Sequence, residues 1–255
     1  MYLDAALLSL GLIFMVQSSE TVTVEPGKQV PQSMVIELPE GDSTKQITIP
    51  YLLFVPEDYD ASGEPMPLLL FLHGLGESGD GDFEVLKVHG PPKFLDSRPD
   101  FPFIVASPQC PKPASRDEIP IAWKADQLIQ LVDRLVEELN VDQDRVYITG
   151  LSMGGYGTWR LVANYPDRFA AAVPICGGGE PEKWATALAR VPIWAFHGAK
   201  DETVPVARSE EMARAVRAAG GDVKLTVYPE VAHDSWTQTY NNDAVYDWLL
   251  KQRRD

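Results

Sequence analysis

The chain has 255 residues, of which 45% are hydrophobic and 23% are charged, and its formal net charge is −15 at pH 7. A chain of this length and composition can bury a full hydrophobic core, which excludes disorder as a description of the whole. Such an acidic surface repels nucleic-acid phosphates, so we expect no nucleic-acid partner. Two cysteines are too few for a disulfide scaffold or a cysteine-type zinc site. We expect neither a metal nor a cofactor.

An apolar run over residues 5–16 is the first patterned segment. It is too short to span a bilayer as a helix, so we expect no stable membrane insertion. Its length is typical of the hydrophobic region of a signal peptide, although Asp4 stands where basic residues are usual. We therefore expect residues 1–18 to be the signal peptide of a secreted or periplasmic protein. The alternative is a helix or strand packed on the domain of a cytoplasmic protein.

The next segments predict β-strands. Residues 21–24 and 33–38 are rich in β-branched side chains, and residues 45–55 alternate before becoming continuously apolar. Residues 68–72 and 103–107 are wholly apolar runs, which are typical of strands buried on both faces of a parallel sheet.

Strands and helices alternate through the second half of the chain. The strands are predicted at 145–149, 171–175, 193–196 and 223–228, and the helices at 124–140, 153–164, 207–219 and 243–252. This alternation predicts an α/β fold with a mostly parallel sheet and helices on both faces. We expect one domain over residues 19–255, in which residues 19–44 add N-terminal strands to the core.

A candidate nucleophile lies between a predicted strand and a predicted helix. Gly150, Ser152 and Gly154 match the pattern G-x-S-x-G, in which a sharp strand-to-helix turn holds an exposed serine. Side chains two residues to either side of the serine would clash in such a turn, which explains the glycines. We expect the N–H of Met153 to donate to an oxyanion at the same point.

A serine hydroxyl needs a positioned base, and in this arrangement the acid and then the histidine follow the serine in the chain. Among the four histidines, only His233 leaves room between itself and Ser152 for an acid on a strand-end loop. His73 and His197 each precede a glycine at a strand end and are interpreted as structural, and His89 is interpreted as a loop histidine.

Asp201 is the candidate acid, because it follows the apolar strand at 193–196 on a loop at the sheet edge that carries the nucleophile. Glu202 is the alternative. Asp234 is too close to His233 in sequence to orient its ring. The acid would fix the tautomer of the histidine and stabilise the imidazolium that forms during attack.

A glycine-rich turn follows the buried strand at 68–72. Such a turn lets backbone N–H groups face the cleft, and we expect the N–H of Leu75 to be the second oxyanion donor beside that of Met153. Four acidic residues crowd the turn and the segment after it; they are Glu77, Asp80, Asp82 and Glu84. We interpret them as a solvated acidic loop, with a weak cation site or a field against anionic substrates as the alternatives.

Four segments, in this order, resemble the α/β-hydrolase fold. They are LHGLGESG at 72–79, GLSMGGYGTW at 150–159, HGAKDETVP at 197–205 and AHDSW at 232–236. More narrowly, they are similar to small serine esterases of the phospholipase/carboxylesterase type, and to feruloyl and acetyl-xylan carbohydrate esterases and polyhydroxybutyrate depolymerases. The resemblance covers about residues 48–252 and is specific for the fold and the catalytic residues but not for the substrate.

The resemblance implies a carboxylesterase with Ser152, Asp201 and His233 as its triad and an acyl-enzyme intermediate. Dienelactone hydrolases, a related branch, carry cysteine as the nucleophile, so Ser152 disfavours that activity. The alternatives are a serine peptidase of the prolyl-oligopeptidase type and a non-catalytic binding protein of the same fold. The oligomeric state stays open.

The substrate site is expected to be an open cleft. Residues 177–190 leave no room for a helical lid between their flanking strands, so short-chain, aryl and polysaccharide-linked feruloyl or acetyl esters are the candidate substrates. The loop at 108–123 is expected to form one wall. Trp236 and Trp123 are the candidate aromatic contacts to substrate, with core or rim packing as the alternative.

Cys110 and Cys176 each lie just beyond a predicted strand, at the edge of the sheet that carries Ser152. An oxidising compartment would allow them to form a disulfide, and the sequence leaves open whether they do.

Overall fold

The computed structural model describes residues 21–40 and 43–254. The expected signal peptide at residues 1–18 lies outside the described residues. One sheet runs through the molecule in the strand order β1-β2-β4-β3-β5-β6-β7-β8. Its strands are β1 (Gln29–Glu40), β2 (Ser43–Phe54), β3 (Met66–Leu72), β4 (Ile104–Pro108), β5 (Val141–Leu151), β6 (Ala171–Ile175), β7 (Ile193–Gly198) and β8 (Val223–Tyr228). The helices of the described chain are α1 (Phe83–Leu86), α2 (Pro92–Leu95), α3 (Ala125–Glu138), α4 (Met153–Asn164), α5 (Pro181–Leu188), α6 (Ala207–Ala218), α7 (Ser235–Tyr240) and α8 (Asp243–Leu250).

The sheet is mostly parallel, which confirms the fold class expected from the sequence. β4, β3, β5, β6, β7 and β8 run parallel to one another. β2 is antiparallel to both β1 and β4, so β1 and β2 extend the sheet as an antiparallel pair.

Residues 21–24 do not form the strand that the sequence predicted, so that prediction is wrong. Both backbone hydrogen-bonding groups of Thr23 bind the side chain of Gln32: Thr23 N–H donates to Oε1 at 3.2 Å, and Thr23 C=O accepts from Nε2 at 3.0 Å. A side chain therefore satisfies the groups that a neighbouring strand would otherwise pair. The first strand begins at Gln29 instead.

The core lies on both faces of the sheet, as the alternation of side chains along β3 demonstrates. Leu68, Leu70 and Leu72 point into one apolar cluster, while Leu69 and Phe71 point into the other. Residues of α3, α4, α5 and α6 pack in the first cluster, and residues of α2, α7 and α8 pack in the second. This arrangement confirms helices on both faces.

The connection between β6 and β7 is short. Residues 176–192, all of which are described, contain α5 as their only helix. The chain therefore has no lid domain at this crossover. Among the described helices, none combines the length and the apolar character needed to cross a bilayer.

Cys110 and Cys176 do not form the disulfide that the sequence left open, since both are free and buried. Cys110 follows β4 and Cys176 follows β6, and β3 and β5 lie between those two strands in the sheet. Three inter-strand spacings separate β4 from β6, which is about 14 Å. A disulfide requires Cα atoms within about 7 Å.

Candidate active site

The turn between β5 and α4 presents Ser152. This residue has φ 52° and ψ −114°, a strained backbone conformation for a residue other than glycine. A Cβ atom on Gly150 would lie 2.4 Å from the carbonyl oxygen of Gly154, and one on Gly154 would lie 1.9 Å from that of Leu72. The sequence pattern therefore marks a turn that only glycine at these two positions allows.

Three of the candidate residues meet at this turn. His233 Nε2 lies 3.0 Å from Ser152 Oγ, and His233 Nδ1 lies 2.7 Å from Asp201 Oδ2. His233 comes from the loop between β8 and α7, and Asp201 from the loop after β7. Asp234, which was excluded as the acid, instead caps α7 by accepting from the N–H of Thr237 at 3.0 Å.

The carboxylate of Asp201 is buried and held on both oxygens. Oδ1 accepts from the backbone N–H groups of Thr203 and Val204, each at 2.9 Å. Oδ2, which faces His233, also lies 3.2 Å from Nε2 of His197. The loop after β7 thus fixes the rotamer of the carboxylate that orients the His233 ring.

His73 and His197 are buried and serve the loops around the site. Nε2 of His73 accepts from the N–H of Cys110 at 2.9 Å, and burial lowers the pKa of His73 from 6.5 to about 4. His197 Nδ1 contacts the hydroxyl of Ser209 at 2.8 Å, and burial likewise lowers the pKa of His197. Desolvation therefore keeps both rings neutral near pH 7, in keeping with a structural role.

Two backbone N–H groups stand at helix starts beside the serine turn. Met153 is the first residue of α4, and Leu75 is the first residue of the short 3₁₀ helix Leu75–Glu77. An N–H at the first position of a helix has no intrahelical acceptor. Both groups are thus available to a ligand. Leu75 also lines the cavity that contains Ser152.

The cavity over Ser152 has a volume of about 470 Å³. Arg116, Ile119 and Pro120 line it, so the loop at 108–123 forms one wall as expected. Trp236 also lines it, and its ring meets the His233 ring edge-on with centroids 5.2 Å apart.

Trp123 is not part of this cavity, and its expected contact with substrate is wrong. Its side chain is buried in the core, edge-on to the ring of His73 with centroids 4.8 Å apart. Its Nε1–H donates to the carbonyl oxygen of His73 at 3.3 Å. The ring packs in the core beneath the turn that carries Leu75 and does not face the cavity.

Sequence reasoning missed the pairing of Glu77 with His89. Glu77 is buried rather than solvated, and its Oε1 forms a very short hydrogen bond with Nδ1 of His89. Both residues line the cavity over Ser152. The signal in the sequence is weak, since one acidic residue of a crowded acidic segment and one loop histidine have no local pattern that unites them.

Comparisons with known proteins identify the family. The model of the dienelactone hydrolase family matches residues 120–249, about half of the chain. The crystal structure of a thermostable esterase is 32% identical with a TM-score of 0.67, over 87% of this chain and 63% of that one. A bifunctional acetylxylan esterase/xylanase of Neocallimastix patriciarum is 30% identical over 138 residues, which are 54% of this chain. A poly(3-hydroxyalkanoate) depolymerase C of Paucimonas lemoignei is 48% identical over 59 residues, 23% of this chain.

The sheet order, the serine turn and these similarities confirm the α/β-hydrolase fold that the sequence motifs resemble. The chain belongs to the dienelactone hydrolase family. It spans 20% of the length of the acetylxylan esterase/xylanase and 14% of that of the depolymerase.

Proposed function

We propose that the protein is a carboxylic ester hydrolase whose catalytic residues are Ser152, His233 and Asp201. The observation that carries this proposal is the continuous set of contacts from the Ser152 hydroxyl through His233 to the Asp201 carboxylate. His233 takes the hydroxyl proton as Ser152 Oγ attacks the ester carbonyl, and the same nitrogen then gives that proton to the departing alkoxide. Asp201 keeps the imidazole in the tautomer that has a free lone pair on Nε2.

The oxyanion of the tetrahedral intermediate is held by the N–H groups of Met153 and Leu75. Both donors are fixed before substrate binds, because each belongs to the backbone of a helix start. Fixed donors stabilise developing charge without reorganisation, and losing one typically costs 10²–10³ in turnover. Water then attacks the acyl-enzyme, again with His233 as base, and releases the acid.

The open site and the comparisons support esters with short-chain, aryl or polysaccharide-linked feruloyl or acetyl groups as the substrate class. No lid domain covers the cavity from the β6–β7 crossover, where the described chain has α5 alone. The acetylxylan esterase and the polyester depolymerase among the relatives act on polymer esters, as their names state. A net charge of −15 favours neutral esters over acidic ones. The nucleophile is a serine, so we do not propose dienelactone hydrolysis itself.

Ser152→Ala is the variant that tests the proposal. We expect it to lose roughly four to six decades of turnover on p-nitrophenyl acetate, as removal of a triad nucleophile does elsewhere. Its thermal unfolding is the control for folding. Labelling of wild-type protein but not of Ser152→Ala by a fluorophosphonate would locate the nucleophile.

A substrate panel separates the remaining functions. The panel contains p-nitrophenyl esters of graded chain length, methyl ferulate, acetylated xylan, a polyester and an N-blocked peptide. Cleavage of the peptide but of no ester would favour the peptidase alternative. Failure of wild-type protein both to label and to turn over any substrate would favour a binding protein.

We also propose export to the periplasm or the medium, with cleavage after a signal peptide at residues 1–18. The support is a secreted protein of Arthroderma benhamiae that is 25% identical over 206 residues. Mass spectrometry of the exported product tests this proposal, and an intact Met1 would contradict it.

A further inference from the structure

A second carboxylate–histidine pair lines the cavity that contains Ser152. Glu77 is 4% exposed, and its carboxylate accepts from Nδ1 of His89, whose side chain is 33% exposed. Among the described residues, none forms a hydrogen bond with Nε2 of His89. A buried acid therefore orients an imidazole that keeps one hydrogen-bonding nitrogen for another molecule.

His89 and His233 both line the cavity, and Trp236 contacts both of them. The ring of Trp236 lies edge-on to both, with centroids 5.4 Å from His89 and 5.2 Å from His233. His233 gives its proton to the departing alkoxide, so the alcohol half of the ester must lie beside that ring. His89 lines the same cavity and packs on the same Trp236 ring, so it is the candidate partner for the alcohol half.

A second cavity of about 210 Å³ lies on the other side of His89 and Trp236. His89 and Trp236 line both cavities, so they form the wall between them. The second cavity adds the polar side chains of Lys93, Thr237 and Asn241. These polar groups are suited to the hydroxyl groups of a polyol.

We propose that Nε2 of His89, oriented by Glu77, hydrogen-bonds a hydroxyl group in the alcohol half of the substrate. The substrate class is then partial esters of polyols, sugars included, rather than esters of simple alcohols. A hydroxyl both donates and accepts, so it pairs with Nε2 whether that nitrogen carries a proton or not. This inference rests on the proposed ester hydrolysis and names the alcohol that the same site selects.

The test compares two esters of one acid, ethyl butyrate and 2-hydroxyethyl butyrate. Wild-type protein is expected to have about a five- to tenfold higher kcat/KM on the hydroxylated ester, the size of one net hydrogen bond. His89→Asn keeps an amide donor near the position of Nδ1, for Glu77, but removes Nε2. It is expected to lose the preference, with a fall in kcat/KM on 2-hydroxyethyl butyrate that exceeds any fall on ethyl butyrate by about the same five- to tenfold factor.

His89→Gln is the matched control, because its amide reaches the position of Nε2 and can still bind a hydroxyl. It is expected to keep more of the preference than His89→Asn does, although it loses the contact with Glu77 that orients the ring. If the pair only braces the Leu75 turn, His89→Asn will lower turnover of both esters equally, and that result overturns the inference. A wild-type protein without preference between the two esters also overturns it.

Failure of the proposed function looks different in the same experiment. Wild-type protein would then hydrolyse neither ester and would not react with a fluorophosphonate. Turnover of ethyl butyrate by wild-type protein would therefore support the proposed ester hydrolysis. The ratio of kcat/KM between the two esters would then decide the role of His89 separately.

Discussion

The side chain of Asp201 illustrates how much of a catalytic geometry is decided by neighbours that a motif does not name. Its position after β7 and the order of serine, acid and histidine were enough to choose it from the sequence. Thr203, Val204 and His197 then hold its two oxygens, and these contacts depend on how the loop folds back. Chain order predicts the residue, and the tertiary fold supplies the orientation.

Asp201→Asn is expected to lower kcat by about 10⁴ with little change in folding. The amide of Asn would donate to Nδ1 of His233, which leaves the proton on Nε2 and removes the base. Steady-state kinetics on p-nitrophenyl acetate measure the loss.

Glu202→Gln is the matched control, since Glu202 was the alternative acid and its side chain is exposed. It is expected to keep kcat within about twofold of the wild-type value, because an exposed surface charge contributes little. A large loss in Glu202→Gln with an active Asp201→Asn would reverse the assignment of the acid.

The contact between Glu77 and His89 could not be predicted from the sequence. The segment after β3 contains several acidic residues, and Asp80, Asp82 and Glu84 are exposed as a solvated loop would be. Only the 3₁₀ turn at Leu75–Glu77 draws one carboxylate inward, and only the packing of the later loop brings His89 to it. No periodicity in the sequence encodes such a pair.

Secondary-structure elements were predicted best where burial alone decides them. β3 is a wholly apolar run and β4 is apolar except for Ser107, and a strand covered on both faces requires such a pattern. The strand expected at residues 21–24 failed because β-branched composition does not provide a partner strand. α7 was missed because six residues are too few for a helical period to be recognised.

The order of strands, which the sequence did not provide, decides the state of the two cysteines. Cys110 and Cys176 follow strands that are separated by β3 and β5, so we expect two free thiols in the purified protein. Burial raises the pKa of each thiol to about 12, so the reactive thiolate is scarce in the folded state.

Titration with a thiol reagent such as Ellman's reagent measures this. Two thiols are expected to react in denaturant, with or without prior reduction, and neither is expected to react quickly in the native protein. A rise in the denatured count after reduction would reveal a disulfide and contradict the strand order.

At the scale of the whole molecule, the free energy of unfolding depends on pH because the protein buries neutral histidines. Below its ordinary pKa of 6.5, His73 takes up a proton in the unfolded chain, while the folded protein resists protonation until about pH 4. The unfolded state thus binds more protons in this window, and the free energy of unfolding falls as the pH is lowered. His197 contributes in the same direction, because burial lowers its pKa too.

We expect the stability at pH 7 to exceed that at pH 4 by up to about 3 kcal/mol from His73 alone, which is the free-energy equivalent of its pKa shift. Urea unfolding at a series of pH values between 4 and 7 measures the slope. His73→Gln is the control variant: it retains an acceptor for the N–H of Cys110 and does not titrate. It is expected to be less stable at pH 7 but to lose less stability on acidification. A lost hydrogen bond lowers the free energy of unfolding equally at every pH, whereas loss of the titrating group changes its slope against pH. Parallel plots of this free energy against pH for the two proteins would therefore mean that His73 does not cause the pH dependence.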